Sequence, residues 1–182
     1  MSTIKKNRTW IKRYCLLIYK VTYQNKDYKP AIVDNQNKME IIMAERNWNF
    51  INCLGYLYNA FAIYTDADLD EAEKKEIFNC VSEWAPESTR TEVMECLDLT
   101  VGWFFEDMEA TEKDDFGTDK DKIIQNVAGI CSGINNNVSE EKTKQAIVDD
   151  LARIGRADGH YDDVEKTWAK IVAENLGVNI PQ

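Results

Sequence analysis

Histidine is nearly absent from this chain, since His160 is the only one among 182 residues. Ser–His and Cys–His nucleophile pairs, histidine-based metal hydrolases and E-x-x-H di-iron sites all need a histidine placed among their other parts. A lone histidine in an acidic loop does not supply this, and we expect it to be exposed. Carboxylate pairs of the kind that cleave glycosides are expected by chance among 32 acidic residues. The sequence therefore predicts a protein that is not an enzyme.

Paired cysteines and long apolar runs are also lacking. The spacing of the five cysteines includes no C-x-x-C motif and indicates neither a disulfide framework nor a zinc site. They are Cys15, Cys53, Cys80, Cys96 and Cys131. We interpret them as small core residues in a reducing compartment. No run approaches the roughly 20 apolar residues of a membrane span, and residues 14–19 lack the cleavage site of a signal peptide. We expect a cytoplasmic protein.

Basic residues are scarce after the first 30 positions. Residues 1–30 hold eight basic residues and one acidic residue, which gives a net charge of +7. The other 152 residues hold 14 basic and 31 acidic residues, which gives a net charge of −17. We divide the chain into a basic N-terminal arm, residues 1–37, and a body, residues 38–182. The arm could bind an anionic partner or neutralise the acidic body. Because a body of this charge repels phosphate and no nucleic-acid motif is visible, we do not expect nucleic acid as a partner.

Apolar residues recur every three or four positions from about residue 38 onward, which is the spacing of buried helix faces. This predicts an all-α single bundle of about seven helices. Six of them have clear patterns, at residues 39–64, 71–84, 88–105, 122–134, 144–158 and 164–178. Residues 106–121 carry eight acids and a glycine and are predicted to be a solvated linker. The N-terminal segment fits a helix or a short hairpin about equally well.

An acidic octet occurs twice in the body. "DADLDEAE", residues 66–73, returns 92 positions later as "DGHYDDVE", residues 158–165. Each copy joins the end of one predicted helix to the start of the next. The acids at the fifth and eighth positions have the spacing of a capping box, in which they accept the free amides at a helix start. They are Asp70 and Glu73 in the first copy, and Asp162 and Glu165 in the second. Helix capping alone accounts for much of the pattern.

The first acid of each octet favours a second explanation. Asp66 and Asp158 are predicted at helix C-termini, where the helix dipole disfavours a carboxylate by a few tenths to about 1 kcal/mol. Either the carboxylate accepts amides across the short loop, or a cation lies among the carboxylates. Oxygen ligands at this density suit Ca²⁺, Mg²⁺ or Mn²⁺. An EF-hand does not fit, because Glu71 stands where Gly is required and Ile77 where the bidentate Glu belongs.

The second octet and its flanking helices resemble the signature of the tellurite-resistance TerB family. In that signature a helix ends in A-D-G, an apolar residue follows two positions after the Gly, and a Glu opens the next helix. The matching residues are Ala157, Asp158, Gly159, Tyr161 and Glu165. The first octet departs from the signature, with Ala67 in place of Gly and Thr65 in place of Ala. The resemblance implies an all-helical fold of two pseudo-repeated halves, whose acidic loops converge as a metal-binding patch.

Two functions remain open at this point. The first is a non-enzymatic TerB-like stress-response module with an acidic, divalent-cation-binding face. Its candidate metal ligands are Asp66, Asp68, Asp70, Glu73, Asp158, Asp162 and Glu165. The second is a protein-interaction scaffold whose acidic loops are only helix caps. We expect protein partners, a homodimer being one arrangement, and no membrane span.

Overall fold

The structure, a computed structural model, describes residues 46–66, 69–111 and 119–180. The chain divides into two units, Met1–Arg46 and Asn47–Gln182. The helices described below all belong to the second unit. The predicted basic arm, with its alternatives of helix and hairpin, lies outside the described residues.

Six α-helices and no strands are present in the described ranges, which confirms the all-α class there. The helices are α1 (Phe50–Asp66), α2 (Glu71–Trp84), α3 (Arg90–Thr111), α4 (Asp119–Asn137), α5 (Glu141–Gly155) and α6 (Asp163–Leu176). The C-terminal ends of two of these helices have clear local causes. Pro86 follows the end of α2 closely, as its missing N–H and fixed φ angle predict. Gly177 ends α6 in the left-handed conformation, with φ of 73°.

Helix α1 is the centre of the bundle and contacts each of the other five helices. Residues 52–62 are buried on every side of the helix, as expected for a helix that is hydrophobic all round. Gly55 allows α3 to approach closely, because a Cβ atom there would lie 2.9 Å from Thr100 Oγ1. The ring of Tyr64 lies 4.6 Å from that of Trp168, which joins α1 to α6.

The outer helices present their predicted apolar faces to this centre. The residues predicted to face inward on α4, α5 and α6 are mostly buried, with Ile124 and Ile171 only half-buried. The buried ones are Ile123, Val127, Ile130, Cys131, Ile134, Ile147, Val148, Leu151, Ile154, Trp168, Val172 and Leu176. Helical periodicity was therefore sufficient to predict the core-facing sides of these helices.

The predicted acidic linker is shorter than residues 106–121. Helix α3 continues to Thr111 and α4 begins at Asp119, and residues 112–118 lie outside the described part of the chain. The extension of α3 has a packing cause, since Met108 packs against the core and Asp107 accepts a 2.7 Å hydrogen bond from the Tyr56 hydroxyl. An acidic composition did not end the helix because its inner face still had partners.

Membrane insertion of a helix finds no support in the described ranges. None of the six helices is both long and apolar enough to cross a bilayer. Even α3, at 22 residues, carries six acidic side chains. A charge in the middle of a membrane-spanning helix is costly.

Candidate functional site

The second octet forms a complete capping box at the start of α6. Asp162 is the N-cap, and its Oδ1 accepts hydrogen bonds from the amides of Val164 at 2.7 Å and Glu165 at 2.9 Å. In return, Glu165 Oε2 accepts the Asp162 amide at 2.6 Å. Three of the amides that a helix start leaves without intrahelical partners are thus satisfied by two carboxylates.

The first octet forms the same box at the start of α2. Asp70 Oδ1 accepts the Glu73 amide at 2.7 Å, and Glu73 Oε2 accepts the Asp70 amide at 3.0 Å. Helices α2 and α6 each have 14 residues, and their first residues, Glu71 and Asp163, lie 92 positions apart. The capping role predicted for these four acids is therefore present at both octets.

A third reciprocal pair shows how the octet boxes differ from an ordinary one. At the start of α3, Glu92 Oε2 accepts the Thr89 amide at 2.7 Å, and Thr89 Oγ1 accepts the Glu92 amide at 3.3 Å. These hydrogen bonds from the Thr89 amide and hydroxyl lower the pKa of the exposed Glu92 carboxyl. In the octets the corresponding glutamates are buried, with exposed fractions of 2% for Glu73 and 4% for Glu165. The octet glutamates therefore also serve as packing elements.

The hinge between α5 and α6 is closed over Gly155, a residue that the sequence analysis did not single out. A Cβ atom at this position would lie 2.7 Å from Glu165 Oε1 and 2.8 Å from the Tyr161 ring. The ring is held between two cations, Arg156 at 4.8 Å and Lys166 at 5.7 Å from its centroid. Tyr161 thus fills the hinge, and the absence of a side chain at Gly155 allows the capping glutamate to reach the end of α5.

Asp158 acts within the loop. Its Oδ1 accepts the His160 amide at 2.7 Å, and it makes no other hydrogen bond or ion pair among the described residues. Gly159 adopts φ of 93°, in the left-handed region that glycine enters without strain. The carboxylate closes the turn rather than reaching the amides at the start of α6. His160 is exposed, as expected.

The predicted metal ligands are only partly within the described structure. The side chain of Asp66, at the end of α1, and the whole of Asp68 lie outside it. Within the described ranges, no group of three or more His, Cys, Asp or Glu side chains is arranged to hold a metal ion. The five described acids of the set are engaged in capping or in closing the loop. Metal binding by the octets stays a prediction.

Asp150 is a buried carboxylate with three side-chain donors, and the sequence analysis missed it. It is 5% exposed, and its Oδ2 accepts hydrogen bonds from the Tyr58 hydroxyl at 2.8 Å and from Trp84 Nε1 at 2.7 Å. Its Oδ1 accepts a 3.0 Å hydrogen bond from Arg153. These contacts join α1, α2 and α5 at one point.

Arg153 connects Asp150 to the surface of the bundle. Its guanidinium donates to Glu76 at 2.8 Å and 3.1 Å and to Glu83 at 2.9 Å, so that both glutamates of α2 are bound by one side chain of α5. Fork-shaped pairing of this kind is stronger and more directional than a single contact. We call these residues the Asp150 cluster: Tyr58, Glu76, Glu83, Trp84, Asp150 and Arg153.

One sequence signal could have revealed the Asp150 cluster. Asp150 lies three positions after Ile147 and four before Ile154, on the apolar face of α5. An acid on such a face needs hydrogen-bonding partners, because a buried unpaired charge is very costly. Burial and the neighbouring Asp150 charge raise the pKa of Tyr58, so that its hydroxyl remains protonated and able to donate.

The described cysteines are poor nucleophiles. Burial raises the pKa of Cys53, and it raises the pKa of Cys96 to about 11 and that of Cys131 to about 12. The pKa of Cys80 is also raised, first by burial and then by the nearby Asp150. Since the thiolate is the reactive form, all four thiols are protonated at neutral pH. Cys53, Cys80 and Cys131 are buried as the sequence predicts, Cys96 is half-buried, and Cys15 lies outside the described residues.

The Glu83–Arg153 pair predicts a specific acid sensitivity. The hydrogen bond from Arg153 lowers the pKa of Glu83 below its ordinary value of 4.5. A lowered folded-state pKa means that the stabilisation is present above the ordinary value and is lost as the pH falls through the folded-state value. The Glu83→Gln variant should therefore be less stable than the native chain above about pH 5 and converge with it as the pH falls through the lowered folded-state pKa.

The measurement is the urea midpoint of unfolding at a series of pH values for both proteins. Glu87→Gln, at an exposed position in the next loop, is the matched control and should run parallel to the native chain. A constant difference between Glu83→Gln and the native chain across the acid range would contradict this role of Arg153.

Comparison with known proteins identified no relative of this chain. No protein-family model matches the chain, and neither curated proteins nor solved structures match it. The resemblance to the TerB family thus rests on the residues quoted above and stays a prediction. The octets, the Asp150 cluster and the surface of the bundle are therefore the features that bear on function.

Proposed function

We propose that this chain is a non-enzymatic protein-interaction module whose acidic octets are structural caps and hinges. The observation that carries the proposal is the capping box at each octet, with its glutamate buried. A carboxylate that accepts backbone amides and is closed off from solvent by neighbouring residues is already committed to holding the fold. The octets then position the helices, and recognition takes place on the surface of the bundle.

We further propose that α1–α2 and α5–α6 are related halves with a TerB-like layout. Their second helices have equal lengths, equal caps and an offset of 92 positions. Tyr58 and Asp150 share this offset and are hydrogen-bonded to each other. Contact between corresponding positions is expected where two related elements meet about an approximate twofold axis. A role in stress response would follow from the family resemblance and from nothing else.

A non-enzymatic role is supported by the chemistry of the buried groups. Nucleophilic catalysis needs a side chain activated by a base or by a lowered pKa, whereas the four described thiols have raised pKa values. Both oxygens of Asp150 accept hydrogen bonds from other side chains of the cluster. These groups are arranged for stability rather than for proton transfer to a substrate.

The alternative is a divalent-cation face formed by the octets. One observation favours it, namely that Asp158 is exposed and makes a single hydrogen bond, through Oδ1, among the described residues. Asp66 occupies the corresponding place at the end of α1, where the carbonyl end of the helix would also favour a cation. A hard cation such as Ca²⁺, Mg²⁺ or Mn²⁺ would be the chemical match.

One set of thermal melts separates the two functions. The chelator-treated full chain is melted with and without millimolar Ca²⁺, Mg²⁺ or Mn²⁺, alongside Asp162→Ala and the control Asp163→Ala. If the octets are caps, the cations leave the midpoint unchanged and Asp162→Ala loses about 1 kcal/mol. Asp163 accepts no amide hydrogen bond from the helix start and is fully exposed, so its replacement should have a much smaller effect.

Metal binding would give a different pattern. A cation at 100 times its dissociation constant adds about 2.7 kcal/mol of stability, which is a rise of roughly 5–11 °C in a chain of this size. Such a rise, lost in Asp66→Asn/Asp158→Asn, would overturn the interaction proposal in favour of the cation face.

A further inference from the structure

Gly102 lies near the middle of α3 and has no structural reason to be glycine within the described part of the bundle. It is exposed, and a Cβ atom placed there would have no neighbour within 4 Å. Glycine in an exposed helix interior costs about 1 kcal/mol relative to alanine. The missing side chain leaves a shallow notch in the outer face of the helix. Glycine is common where another backbone must approach closely.

The notch is bordered by apolar and acidic side chains together. Met94 is 47% and Leu99 is 42% exposed, both high values for large apolar residues. Helical spacing places acids on the same outer face, at one or two turns from Gly102. We call this surface the Gly102 face, and it consists of Met94, Glu95, Asp98, Leu99, Gly102 and Glu106.

Asp98 is an acid of this face without a counter-charge in the described part of the chain. It makes no hydrogen bond or ion pair among the described residues, and desolvation by partial burial raises the pKa of its carboxyl. The only basic residue of α3 is Arg90 at its first position, and its guanidinium lies over the Phe78 ring, at 4.9 Å from the centroid. A cation supplied from outside would therefore improve the electrostatics of this face.

The other exposed glycine of a helix interior provides a contrast. Gly129 of α4 is also exposed, and a Cβ atom there would also have no neighbour within 4 Å. Its exposed neighbours on the same face are the neutral polar residues Gln125, Ser132 and Asn136. An exposed helix glycine alone is therefore no sign of a partner. The Gly102 face differs because apolar and acidic groups surround the notch.

We propose that the Gly102 face binds a basic amphipathic helix of a partner protein. Charge complementarity selects a basic partner, because all the charged residues of the face are acidic. It also disfavours a symmetric pair of this chain, in which the same acids would face each other across the twofold axis. The notch and its apolar border suit a helix, whose apolar residue enters the notch while flanking Lys or Arg side chains reach the carboxylates. This inference rests on the proposed interaction function and specifies its partner.

The test uses the full chain and two labelled synthetic peptides of about 18 residues, or five helical turns. Both contain only Leu, Lys and Ala in equal proportions, but only the first has its leucines on one helical face. Fluorescence anisotropy at physiological salt measures the dissociation constant of each. We expect the first peptide to bind about tenfold more tightly or better, because only its leucines can enter the notch together.

Variants locate the binding surface. Gly102→Leu fills the notch and should weaken the first peptide about tenfold, while the fold is retained because leucine is the better helix former. Gly129→Leu is the matched control and should bind like the native chain. Asp98→Asn should weaken binding severalfold and reduce its salt dependence.

Three results would overturn the inference: no binding of the first peptide, equal binding of both peptides, or native affinity in Gly102→Leu. Amide hydrogen exchange distinguishes this failure from failure of the proposed function. Peptide-induced protection on another helix would leave the interaction module standing and remove the Gly102 face from it. A melting temperature that rises with a divalent cation, and no longer rises in Asp66→Asn/Asp158→Asn, would contradict the interaction proposal itself, whichever peptide binds.

Discussion

Replacing Asp150 with alanine is expected to lower the free energy of unfolding by about 3–5 kcal/mol, because it removes the charged member of a buried network. The hydroxyl of Tyr58 and the indole N–H of Trp84 would each lose their acceptor. Leaving buried donors unsatisfied is more costly than the hydrogen bonds themselves are worth. Arg153 is 40% exposed and can turn to water, so most of the loss comes from the two aromatic donors. Urea unfolding followed by circular dichroism measures this change.

Two further variants make the Asp150 result interpretable. Asp149→Ala changes an adjacent exposed acid, whose carboxylate accepts only the Gln145 amide nitrogen at 3.0 Å, and should stay within about 0.5 kcal/mol of the native chain. Asp150→Asn retains an acceptor oxygen, and its free energy of unfolding should lie between those of Asp149→Ala and Asp150→Ala. Equal stabilities of Asp149→Ala and Asp150→Ala would show that the cluster does not hold α1, α2 and α5 together.

Replacing Gly155 with alanine is expected to destabilise the chain by about 1–3 kcal/mol, although alanine favours helix more than glycine does. The new Cβ atom would lie 2.7 Å from Glu165 Oε1 and 2.8 Å from the Tyr161 ring. The glutamate cannot simply turn away, because its carboxylate is buried and accepts the Asp162 amide. The added methyl group therefore opens the hinge or breaks the capping box of α6.

The same measurement on related variants tests this cause. Gly129→Ala, with no neighbour within 4 Å of the added Cβ atom, should raise the free energy of unfolding by up to about 1 kcal/mol. Tyr161→Leu introduces leucine at the fourth position of the second octet, where the first octet has Leu69 packed against the core. It should reduce the cost of Gly155→Ala in a double-mutant cycle. A Gly155→Ala variant as stable as Gly129→Ala would refute the close approach.

Both predictions concern how the helices of the bundle are held together, and they bear on the proposed function. If the octets and the Asp150 cluster serve to fix the helices, variants at these positions should change stability without changing peptide affinity at the Gly102 face. Gly102→Leu should instead weaken peptide binding without loss of stability. This separation of stability from binding is what an interaction module requires, since its recognition surface is carried by a scaffold that is built independently.

Hydrophobic periodicity predicted the helices well, because the spacing of apolar residues is a property of neighbouring positions. The capping boxes were predictable for the same reason, as each joins residues only three positions apart. The extent of the acidic linker was predicted less well. Its charges suggested a loop, whereas the contact of Asp107 with Tyr56, 51 positions away, keeps α3 helical there.

The sequence alone was enough for the all-α class, the positions of most helices, the caps at the octets and the contrast between basic arm and acidic body. Assembly of the bundle decided which acids are buried. Asp150 meets Tyr58 across 92 positions and Trp84 across 66, and Glu165 is enclosed through Gly155 and Tyr161. Capping depends on local hydrogen bonds, which a short motif specifies. Burial depends on distant helices closing over a side chain, and no short motif contains that information.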